Sequence, residues 1–267
     1  MKAIILAAGR GSRMEALTDE IPKCMTTLLG KSLLDWQLAA LKKANIDDVV
    51  IVRGYQKDCI RGKFRTLENS NWENTNMVMT LNCAKDEFNE ASIVAYSDIL
   101  YHPDHIEKLS KAEGDIVICY DTIWRSLWEL RFDNPLDDAE TFEESGGSLK
   151  SIGSKAKHID EINGQYMGLI KITPKGWLAI EGYLNSISLE IRKKLDFTGL
   201  LQGLLNKNVT ISTVAINGKW IEADDSNDLK KYETEIEKHE LTDNTWSHDW
   251  RTCLLYTSPS PRDSDSS

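Results

Sequence analysis

Short apolar runs alternate along the chain with longer segments in which apolar residues recur every three or four positions. A short apolar run is typical of a buried strand, and the longer repeat is typical of an amphipathic helix. The runs predict strands at residues 3–8, 49–52, 92–96, 115–120, 167–172 and 209–216. The repeats predict helices at residues 33–44, 77–84, 105–112, 177–186, 197–205 and 229–239, the first with Ser32 as its N-cap. Buried strands alternating with helices predict an α/β fold with helices on both faces of one sheet.

Two segments break this alternation. Residues 124–157 are polar and rich in Trp, Asp, Glu and Gly, and we interpret them as an irregular insertion over the sheet edge. From residue 241 the pattern decays, and the end of the chain, CLLYTSPSPRDSDSS, resembles a translated sequencing adaptor. A segment so rich in Ser, Pro and Asp lacks the apolar residues to bury a core face. We therefore expect one domain over residues 1–240 and a disordered, partly non-native tail over residues 241–267.

Composition and charge limit the partners that this chain can have. It has 267 residues, 41% hydrophobic and 28% charged, and a formal net charge of -10. No apolar run approaches the ~20 residues needed to cross a bilayer, so we expect no membrane partner. We also expect no nucleic-acid partner, because phosphate contacts need a basic surface. A bound anion would need a local basic cluster, and Arg10, Arg13 and Lys23 form the most obvious candidate.

The cysteines and histidines give no sign of a disulfide framework or a zinc site. The five cysteines are scattered and form no C-x-x-C pair. This favours a reducing compartment, and we expect the cytoplasm. His102 and His105 have no Cys or Glu partner at zinc-ligand spacing, so we interpret them as surface residues. The sequence carries no signal for an oligomeric state.

The first predicted strand runs directly into Gly9-Arg10-Gly11-Ser12-Arg13. Glycine permits positive φ and a close approach of backbone N–H groups to a ligand, and such amides at a strand end bind anions. Arg13 is placed to fork onto phosphate oxygens, and Pro22 fixes the backbone just before Lys23. Spacing alone leaves an anion site and a merely basic turn equally open.

Two generic phosphate-binding motifs are excluded. A dinucleotide-binding G-x-G-x-x-G would need glycine at position 14, which is Met14. A Walker A loop ending in Gly30-Lys31-Ser32 would need glycine at position 25, which is Met25. We interpret Gly30-Lys31-Ser32 as a turn followed by a helix cap.

The combination L-A-A-G-x-G-x-R followed by P-K resembles the signature of the sugar-nucleotidyltransferase superfamily. The resemblance covers roughly residues 1–235. It implies a Rossmann-like, mixed and mostly parallel sheet, and transfer of a nucleotidyl group to a phosphorylated acceptor. It also implies that the base and triphosphate contact the glycine loop, and that the phosphates contact an arginine and a lysine. By resemblance these roles fall to Leu6, Ala7, Ala8, Gly9, Gly11, Arg13 and Lys23.

Further stretches resemble the same family and narrow it. Asp98, in Tyr96-Ser97-Asp98-Ile99, is similar to the family's metal-binding aspartate. Asp224, in Trp220-Ile221-Glu222-Ala223-Asp224, is similar to the second one, although the adjacent Asp225 is an alternative. Residues 75–81 and 164–169 resemble bacterial cytidylyltransferases that act on phosphocholine or 2-aminoethylphosphonate. This resemblance implies that Asn76 and Thr80 contact the nucleotide and that Tyr166 contacts the acceptor.

The tryptophans suggest what kind of acceptor binds. Trp124 and Trp128 lie four residues apart and would share one face of a helix, and Trp220 precedes Asp224. Aromatic faces attract organic cations by ~0.5–2 kcal/mol each. Asp121 and Glu129 lie nearby in the sequence, and carboxylates favour a primary amine. These residues predict a small cationic acceptor, with core or lid packing as the alternative role of the tryptophans.

Together these features predict a Mg²⁺-dependent transfer of CMP from CTP to a small phosphorylated or phosphonate acceptor, with release of pyrophosphate. Mg²⁺ is a hard ion held by one or two carboxylates and phosphate oxygens, and Asp98 and Asp224 would supply the carboxylates. One alternative is a sugar-1-phosphate nucleotidyltransferase that uses another NTP. A catalytically inactive regulatory member is disfavoured because Lys23 and Asp98 are present. A glycosyltransferase is disfavoured because Ser97-Asp98-Ile99 lacks a D-x-D motif.

Overall fold

The computed structural model describes residues 1–242, 244–251 and 254. Its strands are β1 (Lys2–Ala7), β2 (Thr27–Leu28), β3 (Lys31–Ser32), β4 (Val49–Arg53), β5 (Arg65–Glu68), β6 (Ser92–Tyr96), β7 (Ile99–Tyr101), β8 (Ile116–Asp121), β9 (Glu140–Ser145), β10 (Ser148–Lys155), β11 (Gln165–Ile172), β12 (Ser212–Ile216) and β13 (Trp220–Glu222). Its α-helices are α1 (Leu33–Lys43), α2 (Met77–Asn82), α3 (Pro103–Lys111), α4 (Trp124–Arg131), α5 (Pro174–Ser186), α6 (Leu189–Lys194), α7 (Phe197–Leu205) and α8 (Ser226–Glu240). All twelve predicted elements are present, with ends that differ by a few residues.

Nine of the described strands form one mixed sheet in the order β5-β4-β1-β6-β11-β8-β12-β10-β9. β1 pairs in parallel with β4 and β6, β4 with β5, and β8 with β12. β11 is antiparallel to both β6 and β8, and β10 is antiparallel to both β12 and β9. Seven of these nine strands therefore share one direction, as the resemblance implied. The ends of β1, β6 and β8 and the start of β11 lie at one edge, which is the usual position of a ligand site in an α/β sheet.

Helix caps follow the sequence closely. Ser32 caps α1 by accepting a hydrogen bond from the Asp35 amide, as predicted. His102 caps α3 by accepting from the Asp104 amide, and both His102 and His105 are buried. The prediction that these two histidines lie on the surface was therefore wrong, because one histidine is a helix cap and the other is on the helix face packed against the sheet.

The segment predicted as an irregular insertion is regular. Residues 124–131 form α4, and β9 and β10 form a hairpin that extends the sheet at its far end. The polar side chains misled the prediction because an edge hairpin exposes one face to water and buries only alternate residues. Phe142, Leu149 and Ile152 are the buried residues of this hairpin.

The C-terminal segment also differs from the prediction over residues 244–251. Trp250 is fully buried, with its ring centroid 5.8 Å from that of Trp36. His248 Nε2 lies 2.9 Å from Asp121 Oδ2, and Lys219 N donates to the carbonyl of Ser247. The domain therefore continues beyond residue 240, because two tryptophans in an otherwise polar segment supply enough apolar surface to dock it. Cys253 and residues 255–267 lie outside the described residues.

No described helix has the length and apolar character that crossing a bilayer requires.

Candidate active site

The sheet brings two distant segments of the sequence to one point. β1 and β6 are parallel neighbours, with Leu6 beside Tyr96 in the register. Because both strands end at the same edge, the glycine loop that follows β1 meets Asp98, which follows β6. The pairing of β7 with β13 then brings Asp224 to Asp98, since the amide of Ala223 donates to the carbonyl of Asp98 at 2.9 Å.

A cavity of about 220 Å³ lies against the glycine loop, and we call it the loop cavity. Its lining includes nine of the residues predicted to contact nucleotide, phosphate or metal: Leu6, Ala8, Gly9, Gly11, Arg13, Lys23, Asn76, Thr80 and Asp98. It also includes residues that the sequence analysis did not select: Trp72, Thr75, Met77 and Ser97. Ala7 does not line the cavity. Successive side chains of a strand point to opposite faces of the sheet, so the buried Ala7 faces away from the side on which Leu6 lines the cavity.

The two glycines of the loop act differently. Gly11 has φ 72°, and a Cβ there would lie 2.6 Å from Lys23 Cβ, so position 11 needs glycine both for its backbone and for close packing. Gly9 is outside the positive-φ region, and a Cβ there would have no atom within 4 Å. Gly11 thus adopts the positive φ that glycine permits, whereas at Gly9 the missing side chain leaves the cavity open.

Two of the three predicted cations reach the cavity. Lys23 Nζ donates to Asp98 Oδ2 at 2.7 Å and to Asp224 Oδ1 at 2.9 Å. Arg13 Nη2 donates to the same Asp224 Oδ1 at 2.8 Å. Arg10 instead pairs with Asp19 on the surface and does not line the cavity, so its place in the basic cluster was wrong. Arg10 is exposed, and its guanidinium lies 2.8 Å from the surface carboxylate of Asp19.

Three carboxylates meet where the segments converge. One carboxylate oxygen from each of Asp98, Glu222 and Asp224 lies within 4.8 Å of the other two. The sequence analysis missed Glu222, although alternate residues of an extended segment share one face and Glu222 stands two positions before Asp224. We call these three residues the carboxylate cluster.

The choice between Asp224 and Asp225 is clear from their contacts. Asp224 belongs to the carboxylate cluster, whereas Asp225 caps α8 by accepting from the amides of Asn227 and Asp228. The preference for Asp224 therefore agrees with the geometry.

Burial and neighbouring charges act in opposite directions on the pKa values of Lys23 and Asp224. Burial alone would lower the pKa of Lys23, but the charges of Asp98 and Asp224 outweigh it and raise that pKa above its usual value. Burial alone would raise the pKa of Asp224, but Lys23 and Arg131 outweigh it and lower that pKa to about 2. Lys23 and Asp224 are therefore both charged at neutral pH.

A second cavity of about 300 Å³ adjoins the first and shares Arg13, Met77 and Asp98 with it. We call it the acidic cavity, because six carboxylates face it against the single guanidinium of Arg13. Its other lining residues are Tyr96, Trp128, Asp138, Glu140, Gln165, Tyr166, Asp196, Phe197, Thr198, Glu222 and Asp224. Trp128 and Tyr166, two of the predicted acceptor contacts, line this cavity.

Trp124 and Trp220 do not lie there, so their prediction as acceptor contacts was wrong. Trp220 is fully buried and its Nε1 donates to Asp121 Oδ2 at 2.9 Å, while Trp124 packs edge-on against Trp128 at 5.8 Å. Asp121 is buried as well and Glu129 pairs with Arg125 on the surface, so neither carboxylate faces a ligand. Residues 124–131 form a helix instead of the irregular segment that was predicted, and the phase of this helix turns only Trp128 toward the cavity.

Comparison with known proteins agrees with this geometry. Residues 3–131 match the model of the MobA-like NTP transferase domain. The chain is 36% identical over 256 residues to the CTP:phosphoglutamine cytidylyltransferase of Campylobacter jejuni, covering 89% of this chain and 100% of the relative.

Solved structures share the fold. The inositol-1-phosphate CTP transferase from T. maritima matches with a TM-score of 0.72 at 19% identity, over 90% of this chain and 96% of the other. The CTP:phosphocholine cytidylyltransferase from Streptococcus pneumoniae matches with a TM-score of 0.69 at 20% identity, over 88% and 98%. With the glycine loop, Lys23 and the carboxylate cluster assembled at one sheet edge, this chain belongs to the nucleotidyltransferase family, among its cytidylyltransferase-like members.

Proposed function

We propose that this enzyme transfers CMP from CTP to a small phosphorylated or phosphonate acceptor that carries an ammonium group, releases pyrophosphate, and requires Mg²⁺. The observation that carries the proposal is the junction of the two cavities at the carboxylate cluster. A nucleotide in the loop cavity and an acceptor in the acidic cavity would meet beside Arg13 and Asp98, which line both.

The loop cavity suits a nucleoside triphosphate. Its floor is the glycine loop, where small residues leave room for a ligand, and Lys23 and Arg13 stand at its charged end. Asn69 Nδ2 donates to the hydroxyls of Thr75 and Thr80, which fixes one wall of the cavity. Two anions must approach each other in this reaction, so neutralisation of phosphate charge is the main task of the protein.

The carboxylate cluster suits a divalent hard cation. Oxygen is the ligand atom that Mg²⁺ prefers, and all three residues offer it within a small radius. Asp98 Oδ1 is buried and has no hydrogen-bond partner among the described residues, which leaves it available as a ligand. Bound there, Mg²⁺ would draw charge from the phosphate oxygens and help to align the two substrates.

The chain's own cations would do the rest. Lys23 holds Asp98 and Asp224 together in the structure, and an arriving triphosphate offers its ammonium a new anionic partner. Arg13, more exposed than Lys23, is free to turn its fork from Asp224 to phosphate oxygens. Both side chains would then offset the charge of the leaving pyrophosphate. No covalent nucleophile from the protein is needed, since the acceptor oxygen attacks the α-phosphorus directly.

The acidic cavity favours an acceptor with a positive end. Asp138, Glu140 and Asp196 line it, and they would repel a second anion and attract an ammonium group. The rings of Tyr96, Trp128 and Tyr166 add faces that attract organic cations.

Phosphoglutamine is our first candidate acceptor, because the relative that is matched over its full length is named for it and the molecule carries an amine. 2-Aminoethylphosphonate and phosphocholine also combine a phosphorus-centred anion with a cationic nitrogen, and remain the alternative acceptors within this class.

The test is pyrophosphate release, measured with each of CTP, UTP, GTP and dTTP against phosphoglutamine, 2-aminoethylphosphonate, phosphocholine and glucose 1-phosphate. We expect CTP and an ammonium-bearing acceptor to give the highest kcat/KM, and we expect EDTA to abolish the signal. A preference for glucose 1-phosphate with another NTP would overturn the proposal in favour of sugar nucleotide synthesis.

A further inference from the structure

We infer that Arg131 is a positioning residue that holds Asp224 so that one of its carboxylate oxygens faces the active site. This inference rests on the metal-dependent transfer proposed above. It concerns a residue that lines neither the loop cavity nor the acidic cavity and that acts from behind the site.

The guanidinium of Arg131 is buried and bonds three carboxylates. Its side chain is 0% exposed at the end of α4. Nη1 donates to Glu222 Oε2 at 2.9 Å, and Nη2 donates to Asp224 Oδ2 at 2.9 Å. Nε and Nη2 both donate to Asp228 Oδ2, at 3.3 and 3.2 Å. One guanidinium therefore links the strand β13, the segment after it and the first turn of α8.

These contacts place the two carboxylate oxygens of Asp224 in different environments. Its Oδ2 faces Arg131, whereas its Oδ1 faces Lys23 and Arg13 in the cleft. Its backbone is fixed by the same network, because the amide of Asp224 donates to Asp228 Oδ2 at 2.9 Å. Rotation of the carboxylate would break the contact with Arg131, so only Oδ1 is offered to a ligand.

Arginine suits this position better than lysine does. Three acidic side chains converge on it, and a planar fork with five donors can bond all of them at once. The guanidinium also lies beside two aromatic rings, with its carbon 5.3 Å from the Trp128 ring centroid and 4.9 Å from that of Phe132. A lysine would keep the charge but could not hold three carboxylates in fixed directions.

The experiment compares Arg131→Lys and Arg131→Gln with Arg125→Lys, which changes an exposed arginine of the same helix paired only with Glu129 among the described residues. The readouts are Mn²⁺ affinity of the purified protein by calorimetry, the KM for Mg²⁺ and for the acceptor, kcat, and the melting temperature. We expect both Arg131 variants to weaken Mn²⁺ binding at least tenfold and to raise the KM for Mg²⁺ by a similar factor. The acceptor KM should change less than threefold, and Arg125→Lys should match the wild type.

Each outcome bears on the inference. An Arg131→Lys protein with a changed melting temperature but wild-type Mn²⁺ affinity would overturn it, because Arg131 would then serve stability alone. If Arg131→Lys fails to fold, Arg131→Gln decides by the same criterion, since its shorter, neutral side chain cannot bond Glu222, Asp224 and Asp228 at once. A wild type that binds no Mn²⁺ and ignores EDTA would overturn the proposed function and this inference together.

Discussion

The loop cavity and the acidic cavity are built in opposite ways. The loop cavity is lined by residues between Leu6 and Asp98. They lie at and after the ends of the neighbouring parallel strands β1 and β6, and at residues 72–80. The acidic cavity draws on Arg13 at one end of the sequence and Asp224 at the other. Most of its other lining residues come from three helices (α2, α4 and α7), the β9–β10 hairpin and three further strands (β6, β11 and β13). Short motifs therefore specify the first cavity, whereas only the assembled fold specifies the second.

The two cavities also differ in the charge of the side chains that line them. Lys23 and Arg13 supply the loop cavity with cations for a polyanionic ligand. Six carboxylates face the acidic cavity, and they select against anions except at the end where Arg13 stands. Under the proposed function, the nucleotide and the positive end of the acceptor would therefore occupy opposite ends of a single cleft. The following predictions test this division, from the largest expected effect to the smallest.

Removal of either carboxylate at the junction should nearly abolish activity. Asp98→Asn and Asp224→Asn each weaken the site that both cavities share, and we expect kcat/KM to fall by a factor on the order of 10³, since metal charge stabilisation amounts to several kcal/mol. The matched control is Asp225→Asn, because asparagine is as good an N-cap as aspartate. Steady-state kinetics should give this control within about twofold of wild type. If Asp225→Asn is the damaging change, Asp225 rather than Asp224 serves the reaction.

Lys23→Met, in the loop cavity, should lower activity almost as strongly as the loss of Asp98 or Asp224. Loss of a positioned cation should lower kcat by a factor on the order of 10² to 10³. The variant should also be less stable, because Asp98 and Asp224 lose a buried counterion. Lys57→Met is the control, since Lys57 is an exposed lysine paired with Glu68. A kcat within fivefold of wild type in a folded Lys23→Met protein would remove Lys23 from the mechanism.

Gly168→Ala should separate the two cavities kinetically. Gly168 has φ 79°, and a Cβ there would lie 2.6 Å from Tyr96 Cδ2, so the substitution displaces a ring that lines the acidic cavity. We expect the KM of the acceptor to rise by about tenfold and the KM of CTP to stay within twofold. Gly182→Ala is the matched control, because a Cβ there meets no atom within 4 Å. Equal increases in both KM values would contradict the separation of the two cavities.

The smallest effect concerns the two tryptophans of α4. Trp128 lines the acidic cavity and Trp124 does not, so Trp128→Leu should raise the KM of an ammonium-bearing acceptor by about fivefold, from the loss of ~1 kcal/mol of cation attraction. Trp124→Leu should lower the melting temperature through lost packing and leave this KM unchanged. Both should be measured against phosphocholine and 2-aminoethylphosphonate. If the two variants behave alike, Trp128 has only a packing role.

What the sequence predicted follows this division between local and assembled structure. Gly11, Lys23 and Asp98 were identified because each stands in a short motif beside a strand end. Arg131 was missed, because its partners lie more than 90 residues away and nothing around it in the sequence signals them.

Side-chain direction was the other cause of error. Trp124 was selected with Trp128 because a spacing of four residues places both on one side of a helix. In the structure only Trp128 lines the cavity. The prediction of a tail at residues 244–251 was wrong because it relied on the polar composition of this segment. The burial of Trp250 depends on Trp36, which lies over 200 residues away in the sequence.

The destination of the α-phosphorus of CTP tests the central claim most directly. With phosphoglutamine as acceptor, [α-³²P]CTP should place its label in a product that contains both cytidine and the acceptor, and [γ-³²P]CTP should place its label in pyrophosphate. This result requires attack at the α-phosphorus of CTP. Label from the γ-position in the acceptor, or release of that label as inorganic phosphate alone, would contradict nucleotidyl transfer.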